Sequence, residues 1–231
     1  MEQRKHIVIF SHGFGVEKDS LGLFTEIAKM LSSYNIEPVM FDYNEINREA
    51  KEVTVKPFSE QTKILQSIID KTVEENPNGI IDIIGHSQGS VMVAKAKLHG
   101  IRKVISMSPF FHTDIHKVME RHKKFPTSQI DFNGVSKRVR SDGTVSIVPA
   151  SYWQERFATD VYELYNNLAL SVNLTIIHAG EDQIMEEPDL LKIFDAYIIN
   201  IHGNHDFKGD DRKKLISVIE DLLKLEIKNN L

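Results

Sequence analysis

The residues Gly85-His86-Ser87-Gln88-Gly89 stand where an isoleucine-rich run, Ile80 to Ile84, gives way to a helix-forming segment. A serine hydroxyl attacks a carbonyl when a base accepts its proton and an acid orients that base. The Gly-x-Ser-x-Gly spacing suits a sharp strand-to-helix turn. The serine there must hold strained backbone angles to stand clear, and a Cβ two positions either way would collide with the neighbouring strand and helix. At a helix N-terminus, free N–H groups and the dipole favour developing negative charge. The plainer alternative is a glycine-bearing β–α turn with Ser87 as a helix N-cap.

The base and the acid should follow later strands, in the chain order Ser, acid, His, at the strands' C-terminal ends. The run LTIIHAGEDQIMEEP supplies a strand and then Glu181 and Asp182, and AYIINIHGNHDF supplies a strand and then His202 and His205. Asp182 is preferred over Glu181 because it lies further round the turn. His205 is preferred over His202, which sits close to the strand end. Two backbone N–H groups are expected to receive the oxyanion. One is that of Gln88, just after the serine; the other is that of Phe14 in the loop His12-Gly13-Phe14-Gly15 after the first strand.

Six short β-branched runs could position these residues: 6–11, 38–43, 80–84, 103–107, 174–179 and 196–201. They are continuously apolar rather than alternating, as strands buried on both faces of a parallel sheet are. Helical periodicity lies between them, in Leu23, Ile27, Met30 and Leu31, in Ile64, Leu65, Ile68, Ile69 and Val73, and in Leu215, Ile216, Ile219, Leu222 and Leu223. Strand–helix alternation with right-handed crossovers predicts an open, mostly parallel sheet with helices on both faces. Residues 109–156 break the alternation, and Asp142-Gly143 between two β-rich runs signals a hairpin. They are read as a small cap inserted into a single domain spanning 1–231. Phe110, Phe111, Tyr152 and Trp153 flank the insertion, and they either line an acyl pocket or form the cap's own core.

With His12-Gly13-Phe14-Gly15, Gly85-x-Ser87-x-Gly89, Gly180-x-Asp182 and Gly203-x-His205 in this order, the chain resembles the α/β-hydrolase superfamily. The insertion is similar to the short cap of bacterial carboxylesterases; cinnamoyl or feruloyl esterases and monoacylglycerol-lipase-like enzymes are the nearest comparison. The resemblance implies Ser87 as nucleophile, His205 as base and Asp182 as acid. It implies cleavage of small-molecule carboxylic esters, with no cofactor and no metal. The N-terminal antiparallel hairpin of larger members is absent, which leaves a sheet edge for solvent or for a second copy in a homo-oligomer.

Composition narrows the alternatives. The 231 residues carry a net charge of −5 with both signs interleaved, which argues against nucleic acid as a partner. The absence of cysteine excludes disulfides and thiolate chemistry. No apolar run approaches the length of a secretory core or a membrane span, so a cytoplasmic protein without stable membrane association is expected. The insertion is locally basic, with Lys117, Lys137, Arg138 and Arg140 among its residues. Two rivals remain: a binding protein on the same fold that does not catalyse, and a metallophosphoesterase suggested by Gly203-Asn204-His205-Asp206 and Asp114-x-His116. The latter lacks the bridging Gly-Asp-x-x-Asp that a two-metal site needs.

Overall fold

The computed structural model describes residues 4–123, 127–140, 142–184 and 188–224. The chain opens with β1 (His6–Ser11), α1 (Leu23–Ser33) and β2 (Ile36–Met40), followed by two short strands, β3 (Glu45–Asn47) and β4 (Glu52–Thr54). Then come α2 (Phe58–Glu75), β5 (Ile80–His86), α3 (Gln88–Lys95) and β6 (Lys103–Met107). The inserted segment holds α4 (Ile115–Lys123), β7 (Val135–Val139), β8 (Val145–Pro149) and α5 (Ala150–Phe157). The chain then continues through α6 (Val161–Ser171), β9 (Asn173–Ala179), β10 (Tyr197–Ile201) and α7 (Asp210–Lys224).

Six strands form one sheet in the order β10-β9-β6-β5-β1-β2, and every neighbouring pair is parallel. Successive side chains divide between two cores, as the two-residue period of a strand requires. On β1, Ile7 and Ile9 enter one apolar cluster while Val8 and Phe10 enter the other. On β9, Leu174 and Ile176 face the first cluster, Ile177 and Ala179 the second. The first core is covered by α2, α3, α5 and α6, the second by α1 and α7. Leu215, Ile219 and Leu223 of α7, spaced four apart on one face, are fully buried there. Each such side chain contributes on the order of 1.5–3 kcal/mol. Helix ends follow local chemistry. Asp160 caps α6, its Oδ1 accepting the N–H groups of Tyr162 and Glu163 at 3.0 Å. Asn76-Pro77 stops α2.

The second strand sits at Ile36–Met40 rather than 38–43. Phe41 to Tyr43 leave the sheet because Tyr43 is committed elsewhere: its N–H donates to His12 Nε2 (3.0 Å) and its hydroxyl bonds Ser11 Oγ (2.6 Å). A second sheet, ordered β3-β4-β8-β7, was not anticipated. Its hairpin β7–β8 turns at Asp142-Gly143, where Gly143 has φ 81° and its N–H donates to Arg140 O (3.0 Å). The other two strands come from 45–54, and β4 joins β8 in parallel with Val53 opposite Ser146. Strands of three residues rich in Glu and Asn carry no β signal of their own. Tertiary pairing alone creates them.

Candidate active site

At the end of β5 the chain turns abruptly into α3, and Ser87 occupies the turn with φ 54° and ψ −124°. This is left-handed territory that a residue with a Cβ adopts only when its surroundings impose it. They do so here by close approach. A Cβ on Gly89 would lie 2.0 Å from Ser11 O, and one on Gly85 would lie 3.0 Å from Ser90 Cα. The Ser87 side chain makes no capping bond to α3, so it is not held as an N-cap residue. Its Oγ lies 2.9 Å from His205 Nε2.

His205 reaches it from the loop after β10. Its Nδ1 lies 2.7 Å from Asp182 Oδ2, on the loop after β9. The imidazole and the carboxylate are both nearly inaccessible, with side-chain exposures of 7% and 2%. The two loops are tied by backbone bonds: Gly180 N–H donates to Ile201 O (2.8 Å) and Glu181 N–H to Gly203 O (2.9 Å). Hydroxyl, imidazole and carboxylate thus lie in a single line of hydrogen bonds. Glu181 and His202 lie apart from it. They pair with each other on the surface, His202 Nε2 3.1 Å from Glu181 Oε1, while His202 Nδ1 bonds Asp211 Oδ1 at 2.8 Å. The Asp211 bond, with the nearby Glu181 charge, raises the pKa of His202.

Two buried histidines that motif reading passed over support this line. His86 Nε2–H donates to His205 O (3.0 Å), and Ser20 Oγ bonds its Nδ1 (3.1 Å), so His205 is gripped by its own backbone. Burial, reinforced by the neighbouring His205, lowers the His86 pKa to about 4. His12 Nδ1–H donates to Gly13 O (2.9 Å) and Nε2 accepts the Tyr43 N–H, which pins the loop carrying Phe14. Burial lowers its pKa to about 4 as well. Both imidazoles are therefore neutral at pH 7. Each sits in a motif whose signal was carried by its neighbour, glycine or serine, which is why neither stood out.

The cleft over Ser87 is lined by Gly13 and Phe14 from one side and by Gln88, the first residue of α3, from the other. The first N–H groups of a helix have no intrahelical acceptor. The Gln88 side chain is locked: Tyr152 OH donates to its Oε1 (2.6 Å) and its Nε2 donates to Gln61 Oε1 (2.9 Å). Of the four aromatic residues flanking the insertion, Phe110 lines the cleft. Phe111 packs against Tyr162 and Tyr165, Tyr152 lies beneath Phe14, and Trp153 stacks on Phe157 and donates to Ser136 Oγ (3.0 Å). Those three are core rather than pocket wall. The Trp153 N–H finds its acceptor inside the cap and the Tyr152 hydroxyl finds one on α3, which turns both rings inward.

His86, His205 and Asp206 bring possible ligand atoms within 4.8 Å of one another. Every imidazole nitrogen of that group is already engaged, so an ion there would have to displace existing hydrogen bonds of both His86 and His205. Asp114 and His116 stand at the start of α4, where Asp114 Oδ1 accepts the His116 N–H at 2.6 Å. His112 precedes α4 and does not share a helical face with His116.

Residues 7–187 match the model of the palmitoyl protein thioesterase family. The chain belongs to that family. It is an α/β-hydrolase. The matched span contains Ser87 and Asp182 and ends before His205. Among solved structures this α/β-hydrolase is similar to Est1E from Butyrivibrio proteoclasticus, with a TM-score of 0.70 at 14% identity over 97% of this chain and 89% of that one. A thermophilic esterase from Thermogutta terrifontis gives 0.63 at 14% identity, covering 96% and 90%. The thioesterase domain from the curacin biosynthetic pathway gives 0.56 at 14%, covering 93% and 90%. No curated protein matches the sequence significantly. The family supports a hydrolase acting on esters, and the neighbours share its fold. No helix among the described residues is long and apolar enough to cross a membrane.

Proposed function

We propose that the protein is a serine hydrolase that cleaves carboxylic esters or thioesters through an acyl-enzyme. The observation that carries this reading is the hydrogen-bonded line Ser87 Oγ–His205 Nε2–His205 Nδ1–Asp182 Oδ2 at the floor of a cleft. Ser87 Oγ attacks the substrate carbonyl carbon as His205 Nε2 takes its proton. Asp182 fixes the tautomer with Nδ1–H and stabilises the imidazolium that forms. The carbonyl oxygen becomes an oxyanion facing the N–H groups of Gln88 and Phe14, each worth on the order of 3 kcal/mol to the transition state. His205 then protonates the departing alkoxide or thiolate as the tetrahedral adduct collapses. Water, deprotonated by the same imidazole, cleaves the acyl-serine and returns the proton. The left-handed backbone at Ser87 favours this chemistry over a structural role, since a β–α turn alone has no need of it.

Turnover of p-nitrophenyl butyrate by Ser87→Ala tests the proposal. A loss of at least about 10⁴-fold is expected, together with fluorophosphonate labelling of the wild-type protein at Ser87. Undiminished turnover, or absence of labelling, sinks it.

A further inference from the structure

The two edges of the six-stranded sheet are built differently. At one end, β2 carries Glu37, paired with Lys5 at 2.6 Å, and Pro38, which has no N–H to offer. Charge and proline are devices by which an edge refuses a further strand. At the other end β10 reads Tyr-Ile-Ile-Asn-Ile, with neither. Its free side follows from its paired one. Ile201 O accepts the Gly180 N–H, so Ile201 turns its backbone polar groups to β9, as do Ile199 and Tyr197 by the two-residue period. The N–H and C=O groups of Ile198 and Asn200 therefore point away from the sheet, and no backbone bond meets them among the described residues.

The four most exposed large apolar side chains of the described residues surround this edge: Leu191 at 89%, Leu170 at 74%, Phe194 at 65% and Tyr197 at 63%. The segment before β10 is fastened to α6, Asn166 Nδ2 donating to Lys192 O (3.0 Å) and the Phe194 N–H to Asn166 Oδ1 (2.9 Å). Leu170 stands one turn beyond Asn166, on the helix face that carries this segment. Ile198 packs into the core that α6 covers, so its neighbour Tyr197 turns to the opposite face of the sheet. Apolar surface thus flanks the strand on both faces. A single exposed leucine is ordinary, but a group of such residues at an open edge marks an interaction surface.

We propose that β10 is the pairing edge of a two-fold homodimer, lying antiparallel to β10 of a second copy so that the two six-stranded sheets become one. A second copy is the occupant this edge fits. On a dyad through Ile199, Ile198 and Asn200 face Asn200 and Ile198 of the second copy, and the two pairs exchange four N–H···O=C bonds. No charged residue lies in either strand to oppose them. Counting about 100 Å² for each leucine and about 150 Å² for each ring, covering the flanking groups of both copies removes roughly 1,000 Å² from water, the size at which specific interfaces begin. A single extended peptide would pair with β10 and leave Leu170, a helix layer away, in water.

Sedimentation velocity of the full chain across a range of concentrations reads the oligomeric state. A species of twice the chain mass is expected, giving way to monomer on dilution. Tyr197→Lys and Phe194→Lys put a charge on both copies at the contact, and each should weaken association by at least about tenfold. Val135→Lys, at an exposed valine on β7, should leave it unchanged. All three side chains are exposed, so the circular dichroism of each variant should match wild type. Hydrogen exchange locates the contact: the amides of Ile198 and Asn200 should slow as concentration rises. A chain that stays monomeric at every attainable concentration overturns the proposal. So does a dimer that survives both lysine variants, or one in which those two amides exchange freely. Protection of the same amides in the monomer also overturns it, because the chain would then be covering its own edge.

Discussion

Asp182 and Glu181 are adjacent carboxylates with different environments, and the difference predicts their behaviour. Asp182 is nearly inaccessible and meets His205 Nδ1, whereas Glu181 is 63% exposed and meets His202. Asp182→Asn is expected to lower kcat by roughly 10³- to 10⁴-fold, because an amide at that position no longer enforces the tautomer with Nδ1–H. Glu181→Gln and His202→Asn remove only a solvated pair, so steady-state assays should find both within about threefold of wild type. A severe His202→Asn defect would place the base at the wrong histidine. Gly89→Ala carries a steric prediction. With Ser11 O only 2.0 Å from the added Cβ, either β1 or α3 must shift, and soluble yield and melting temperature should both fall sharply. That Ser87, Asp182 and His205 would meet was legible in the chain because each follows a strand, in the order the resemblance implies. His12 and His86 were not, since the fold alone determines that a residue beside a motif becomes its buried brace.

At the scale of elements, two buried polar groupings join neighbouring elements, one among strands and one among helices. Near the start of β5, Asp82 bonds His6 Nε2 (2.7 Å) from β1 and both Arg102 Nε (2.9 Å) and Arg102 Nη2. Burial pushes the Asp82 pKa up, but the bonds from His6 and Arg102 outweigh it and hold the carboxyl below its ordinary value. Arg102→Met should cost about 3 kcal/mol in urea unfolding, because it strips one partner from a buried charge. The site lies at the other end of these strands, so kcat at 25 °C should change by less than about twofold. Near the site, Tyr152 of α5 holds the Gln88 side chain against Gln61 of α2. Tyr152→Phe removes the bond to Gln88 Oε1, worth about 1 kcal/mol, along with a longer one from Arg156 Nη1 (3.4 Å), and frees the residue whose N–H is proposed to face the oxyanion. The expected signature is a fall in kcat of about tenfold with little change in KM. The six long strands and α1, α2 and α7 were readable from apolar runs and helical period, whereas α5 and α6 were not. β3 and β4 were not, because three-residue runs such as Glu-Ile-Asn and Glu-Val-Thr become strands only when β4 pairs with β8 and β3 with β4.

For the whole molecule, acid should act in two stages. His12 and His86 are buried neutral with pKa values of about 4, below the ordinary 6.5. Between those values the unfolded chain binds more protons than the folded one, so stability is complete above about pH 6.5 and is lost as pH falls towards 4. Each histidine contributes on the order of 3 kcal/mol to that loss. Asp82, with its depressed pKa, acts lower still: its contribution stands above the ordinary carboxylate range and disappears as pH drops through the folded-state value. Urea midpoints measured from pH 7.5 to 3 should decline first between 6.5 and 4. His12→Gln and His86→Gln should each flatten that first decline, and a midpoint independent of pH in this window would contradict the buried neutral state.

The small sheet joins β4, within the first quarter of the chain, to β8, some ninety residues later. Engineers wishing to transplant a different roof onto this hydrolase therefore face a two-piece graft. Exchanging 109–156 alone would leave the 45–54 ribbon without its companion, so both segments have to travel together.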